Sequence, residues 1–135
     1  RMKGYDRAMT EAGLEPKHIL TGEHSSFSLA SDLLERALNT YPDLDGVFCT
    51  NDDIAIGTLL NAQQLNIKVP EQLAIVGYNA LDIGQAISPK LTSVDTPRFA
   101  IGEKSAELLI SRLKGEEQAD TIVDMGYQIT AGESV

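Results

Sequence analysis

Apolar positions along this chain switch repeatedly between two spacings. Tyr5, Ala8, Met9 and Ala12 recur at helical spacing, which predicts a helix over residues 2–12 closed by Gly13. After Pro16 the run His18-Ile19-Leu20 predicts a short strand, and residues 21–26 read as a polar loop. A second helix is expected from about Ser26 and Phe27, with Leu29, Leu33, Leu34, Ala37 and Leu38 on its apolar face. It should end near Tyr41-Pro42, because a residue before proline is pushed out of the helical region. Residues 45–49 form the next strand, and residues 52–65 a helix with Ala55, Ile56, Leu59, Leu60 and Ala62 inward and Asn66 as a left-handed stop. Residues 72–76 and 91–94 read as further strands, with a turn at Val69-Pro70 and a weak helical pattern over 80–87. Thr96-Pro97 is the cap and first turn of a helix running to Lys114-Gly115. The tail offers two short strand candidates, 121–124 and 127–130, separated by Gly126.

Helices alternating with short apolar strands predict an α/β fold with a parallel, doubly wound sheet. Within it, residues 45–57 are the most informative stretch. The run Val47-Phe48-Cys49 stops at Thr50, Asn51, Asp52 and Asp53, and a helical pattern begins at once. This is strand, tight turn, helix, and in an open parallel sheet such turns line the carboxyl edge where ligands bind.

At 135 residues the chain is the size of one domain, with no internal repeat and no linker long enough to separate two. It begins at Arg1, already inside an amphipathic pattern, which leads us to expect a piece of a longer protein. No apolar run approaches the ~18 residues of a membrane span. A net charge of −9 repels phosphate backbones and argues against direct nucleic-acid binding by these residues. The single cysteine, Cys49, excludes an internal disulfide framework and any cysteine-based metal site, and its place in an apolar run reads as core.

Four places are able to carry chemistry. Asn51-Asp52-Asp53 either aims an amide at a ligand beyond the strand or caps the following helix. Asn79, after Gly77-Tyr78, is a second neutral donor and acceptor at the same edge, or satisfies its own turn. Arg1, with Lys3, offers a fork of donors suited to a carboxylate, phosphate or vicinal diol, or is a solvated helix end. Phe27 is either a platform for a sugar ring or a hydrophobic staple. Enzyme readings fail on inventory. His18 and His24 lie near no nucleophile motif, and there is neither a Walker loop nor a G-x-G-x-x-G after a strand. Two amides and one guanidinium suit binding of a polar, hydroxylated small molecule better than bond-breaking.

The ordered motifs Arg1-x-x-Gly4-Tyr5, residues 45–57, Lys68-Val69-Pro70, Ala74-Ile75-Val76-Gly77-Tyr78-Asn79, Pro89-x-Leu91-Thr92-Ser93-Val94, and Gly102 followed by Leu113-x-Gly115 span essentially the whole chain. Together they resemble the carboxyl-terminal part of the effector domain of LacI/GalR-type transcriptional repressors. Within that family, Arg1-Met2-Lys3-Gly4-Tyr5-Asp6 and Phe48-Cys49-Thr50-Asn51-Asp52-Asp53 look most like the gluconate-utilisation repressors.

The resemblance implies a cytoplasmic regulator with a helix-turn-helix upstream and a two-lobed periplasmic-binding-protein-like fold. Residues 1–135 would supply most of the carboxyl-terminal lobe, and residues 97–114 a crossover helix packing in the other lobe. It places effector contacts on Arg1, Phe27, Asn51 and Asn79, with Thr96 near the hinge. Asp52 and Asp53 are left to helix capping and dipole duty. Sugar-binding members often carry Asp at the position of Asn79; an amide there fits an acidic ligand better, because a carboxylate would repel it and Arg1 would pair with its charge. Gluconate or a related sugar acid is the implied effector, with no cofactor, metal or membrane contact. The partners implied are a second copy of the chain and, through the upstream segment, operator DNA. The dimer contact is expected to expose Leu59, Leu81, Ile83 and Ile87. A periplasmic sugar-binding protein of a transport system and a magnesium-dependent phosphatase built on Asp52 and Asp53 are the rivals.

Overall fold

The computed structural model describes residues 1–116 and 122–135. Among these residues are five helices and four strands, which alternate from α2 onward: α1 (Met2–Glu11), α2 (Leu29–Thr40), β1 (Gly46–Phe48), α3 (Asp52–Gln64), β2 (Ala74–Tyr78), α4 (Asp82–Ala86), β3 (Thr92–Asp95), α5 (Arg98–Leu113) and β4 (Gln128–Thr130). The sheet order is β1-β2-β3-β4. β1, β2 and β3 pair in parallel, as expected, whereas β4 runs antiparallel along β3. The sheet is thus parallel-dominated, with one reversed strand at its end.

The core follows from the apolar patterns of α2, α3 and the strand flanks. Leu34, Cys49, Ala55, Ile56, Leu59, Ala62, Leu73, Ile75 and Leu91 form one buried cluster. Gly57 lets α2 approach α3, since an added Cβ would lie 2.5 Å from the Phe27 carbonyl and 2.6 Å from Ala30 Cβ. Asn66 ends the α3 segment at φ 58°, the left-handed stop its residue type predicts. The chain's end is stitched between strands. Ser134, fully buried, donates its hydroxyl to the Ile75 carbonyl at 2.6 Å and accepts from the Thr92 amide at 2.9 Å.

Several local expectations are corrected. Residues 18–20 form no strand, because side chains take their carbonyls: the Tyr41 hydroxyl donates to His18 and Arg36 to Leu20. Of the tail candidate 121–124, residue 121 lies outside the described residues and 122–124 make no ladder; only Gln128–Thr130 pairs. Thr96 does not cap α5. Pro97 occupies that position, and Thr96 instead lends its carbonyl to the Arg98 amide. Leu60, expected inward, is exposed, and Leu59, expected on a contact surface, is wholly buried in the core. The other residues expected inward on α3, Ala55, Ile56, Leu59 and Ala62, are buried, and Gly57 on the same helix lies against α2. Ile83 is exposed and Leu81 and Ile87 half-buried. Neither α1 nor α5 buries a residue.

Candidate functional site

Parallel pairing of β1, β2 and β3 brings their carboxyl ends side by side. The Cys49 amide continues the ladder to the Val76 carbonyl at 2.8 Å, and the Asn79 amide reaches the Val94 carbonyl at 2.9 Å. The residues at and just beyond these ends, Thr50-Asn51, Tyr78-Asn79 and Asp95-Thr96, therefore share one edge.

Asn51 takes the capping role its sequence position allowed, and its amide ties in a loop. Its backbone is extended (φ −158°), and its side-chain oxygen accepts the Ile54 amide at 3.0 Å, capping α3. Its amide nitrogen donates to Ser25 Oγ at 2.7 Å, which ties the polar loop 21–26 to this edge and leaves one N–H free of that bond. Arg1 reaches the edge from the start of α1. Nη1 donates to the Thr50 carbonyl at 2.5 Å, and the guanidinium carbon stands 3.8 Å from the centre of the Tyr78 ring. A planar cation over an aromatic face is an electrostatic contact worth ~0.5–2 kcal/mol, so Tyr78 fixes where Arg1 presents its remaining donors. Asn79 follows at φ 116°, and Ala80 at φ 49°, two successive non-glycine residues in the left-handed region. Arg1, Asn51 and Asn79 are thus brought together. Phe27 and Thr96 stand apart from the bonded set: the Phe27 ring is 46% exposed two residues beyond Ser25, and Thr96 is half-buried past β3.

Tyr78, Ser25 and Asp52 are the residues that sequence reasoning passed over as site components. Tyr78 and Ser25 carried a usable signal, an aromatic and a hydroxyl flanking predicted contacts. Asp52 did not, because capping and dipole duty looked sufficient. Asp52 is fully buried, with Oδ2 accepting the Leu81 amide at 2.6 Å and Oδ1 accepting the Ser93 hydroxyl at 2.7 Å. The α3 cap belongs to Asn51. Among the described residues no group of three or more His, Cys, Asp or Glu side chains is placed to hold a metal.

A cavity of about 740 Å³ meets this edge only at Thr50. It lies between residues 14–25, α1, α2 and β1, against Tyr5, Leu20, Leu33, Val47 and Phe48, and Arg1, Asn51 and Asn79 do not line it. At its wall Tyr5 stacks on Phe48 and meets His18 edge-on, and His18 Nε2 lies 2.8 Å from Asp6.

Comparison with known proteins supplies the wider frame. Residues 1–135 match the family model described as periplasmic binding protein-like domain. The chain is 43% identical, over its full length, to the HTH-type transcriptional regulator GntR of Escherichia coli strain K12, of which it spans 41%. Among solved structures, the transcription regulator GntR from Chromobacterium violaceum matches at 41% identity with a TM-score of 0.90, over 98% of this chain and 50% of that one. A transcriptional regulator CelR–cellobiose complex matches at 26% identity with a TM-score of 0.90, over 99% of this chain and 41% of that one. The chain spans about two fifths of the length of the curated relatives it matches.

Proposed function

The chain belongs to the periplasmic binding protein-like domain family, in the LacI/GalR-type regulator branch that its motifs resemble, and from that premise we propose that it is the ligand-sensing lobe of a transcriptional repressor. The effector is a sugar acid such as gluconate, bound at the carboxyl edge by Arg1, Asn51 and Asn79, with Phe27 and Thr96 at its rim. One observation carries this reading: a guanidinium braced by the Tyr78 ring and the Thr50 carbonyl faces the same edge as two neutral amides. Amides match the hydroxyls of a polyol chain, and the braced cation matches a carboxylate. The cellobiose complex of a protein with this fold supports a carbohydrate ligand for the class.

In the longer protein, the α5 face bearing Phe99, Leu109 and Leu113, which are 85%, 60% and 79% exposed, packs against a second lobe. A ligand held between the lobes favours the closed arrangement. It shifts operator affinity of a dimer only by its differential affinity for the two states. DNA contact belongs to a segment outside these residues.

Calorimetry of the full-length protein tests the reading. Gluconate should bind more tightly than neutral hexoses, and Arg1→Ala should weaken gluconate by more than ~1.5 kcal/mol, the lower range for a hydrogen bond to a charged group. Binding of neutral hexoses in preference to sugar acids overturns the specificity.

A further inference from the structure

The turn that carries Asn79 holds an unfavourable backbone. Asn79 and Ala80 both have positive φ, 116° and 49°, and conformations of this kind persist only where the surroundings over-determine them. Here three successive amides are each assigned an acceptor. The Asn79 amide donates to the Val94 carbonyl at 2.9 Å, the Ala80 amide to Ser93 Oγ at 3.1 Å, and the Leu81 amide to Asp52 Oδ2 at 2.6 Å. The second acceptor depends on Asp52 as well. Ser93 gives its only hydroxyl proton to Asp52 Oδ1, which turns its lone pairs toward Ala80.

Space for this arrangement is built in. Asp52 is fully buried and Ser93 nearly so. Gly77 is the position against which the carboxylate lies: an added Cβ there would collide with Asp52 Oδ1 and stand 2.9 Å from Leu91 Cδ2. Three elements thus converge on one side chain, the first turn of α3, the end of β2 and strand β3. Asp52 also directly follows Asn51 in the chain.

We propose that Asp52 is a positioning residue: through Ser93 and the Leu81 amide it fixes the Asn79–Ala80 turn relative to Asn51, and so sets the spacing of the two amides that read the ligand. Asp52 does not touch the ligand. Its buried carboxylate joins the two halves of the binding edge, so displacement at either amide is resisted at the other. The ligand part of this inference rests on the sugar-acid reading above; the positioning part stands on the turn alone.

The test uses the full-length protein and separates those two parts. Amide hydrogen exchange is followed by NMR in the parent, Asp52→Asn and Ser93→Ala. Asparagine keeps the shape of Asp52 but replaces one acceptor by a donor, and alanine at 93 removes the relay with little change of volume, so one variant serves if the other fails to fold. Protection at Ala80 and Leu81 should fall at least tenfold while α2 and α3 core amides keep theirs. Unchanged protection at Ala80 and Leu81 in a folded variant overturns the proposal. Gluconate affinity is then measured for Asp52→Asn with Asn79 present and with Asn79→Ala. A loss of about tenfold in the first case and less than twofold in the second is the expected result. An equal loss in both overturns positioning through Asn79, because a general structural defect lowers both alike. If the parent binds no gluconate, the sugar-acid reading fails, and the exchange data still decide what Asp52 does to the turn.

Discussion

α2 and α5 are both amphipathic helices, and they meet opposite fates. The 12-residue α2 buries Leu29, Ala30, Leu34 and Ala37 against α3, while the longer, 16-residue α5 buries nothing. Length does not account for the difference, since the longer helix is the one that buries nothing. What separates them is a surface to pack on: α3 presents Gly57, and α2 comes close enough for an added Cβ to collide. Apolar periodicity specifies that a helix has a face and says nothing of where its partner lies. One region of the molecule is therefore a closed core, and the other is a face whose partner, on the reading above, belongs to a second lobe.

The largest effect should come from the closed region. Leu59 is wholly buried in the central cluster, so Leu59→Ala should cost ~2–5 kcal/mol from lost transfer energy plus a cavity, read from denaturant unfolding. The matched change on the open region is Leu109→Ala. In the 135-residue chain it should stay within ~0.5 kcal/mol, as for an exposed position. In the full-length protein it should cost ~2 kcal/mol or more if a second lobe covers it. Equal, small effects in both settings would break the comparison, because α5 would then be a solvated helix rather than half of an interface.

Gly57→Ala comes next. Its added methyl would meet the Phe27 carbonyl at 2.5 Å and Ala30 Cβ at 2.6 Å, and overpacking of this kind costs ~1–3 kcal/mol. Alanine at Gly102, on the open helix, meets nothing within 4 Å. It should stabilise slightly through helix propensity, by up to ~1 kcal/mol. Opposite signs in thermal unfolding are the expected outcome; the same sign would mean that α5 is already packed closely.

The same contrast explains what the sequence made legible. Element types were readable wherever apolar spacing met a clear stop, as at Gly13, at Tyr41-Pro42 and at Asn66. The Asn51 cap was readable because a polar residue before a helical pattern has few other tasks. Residues 18–20 were misread as a strand: a short apolar run does not reveal that Tyr41 and Arg36, far along the chain, take its carbonyls. On α3 only Leu60 differs from its expected inward place, since Leu59 and Leu60 are adjacent leucines and tertiary packing decides which is inside. At the site, Asn51 and Asn79 were singled out by residue type at strand ends, and Arg1 by residue type at a helix start. Tyr78 as the brace of Arg1 depends on a contact between elements that its position beside Asn79 only hints at, and Asp52 as the holder of the Asn79 turn left no local pattern. The end of the chain is similar: Ser134 looks like an ordinary tail residue until the strands it bridges are in place.

The smallest effect in the accessible pH range concerns Cys49, at the seam between the core and the binding edge. Burial pushes its thiol from 9.0 up to about 12; the Thr58 hydroxyl, 4.0 Å away, pulls the other way, and the Asp52 charge adds to the rise. A raised value means that the folded state holds a proton the unfolded chain releases. Stability should therefore be independent of this group below about pH 9 and fall between about 9 and about 12. One pH unit into that window the loss is at most ~1.4 kcal/mol. Cys49→Ala should flatten this part of the stability profile relative to the parent, after its own cavity cost is subtracted as a constant. Iodoacetamide at pH 8 gives an independent reading, because only the thiolate reacts: the folded protein should resist alkylation, and the denatured one should not. Prompt alkylation of the folded protein would show that the closed region opens at its binding edge, and the division between a sealed half and an open one would have to be redrawn there.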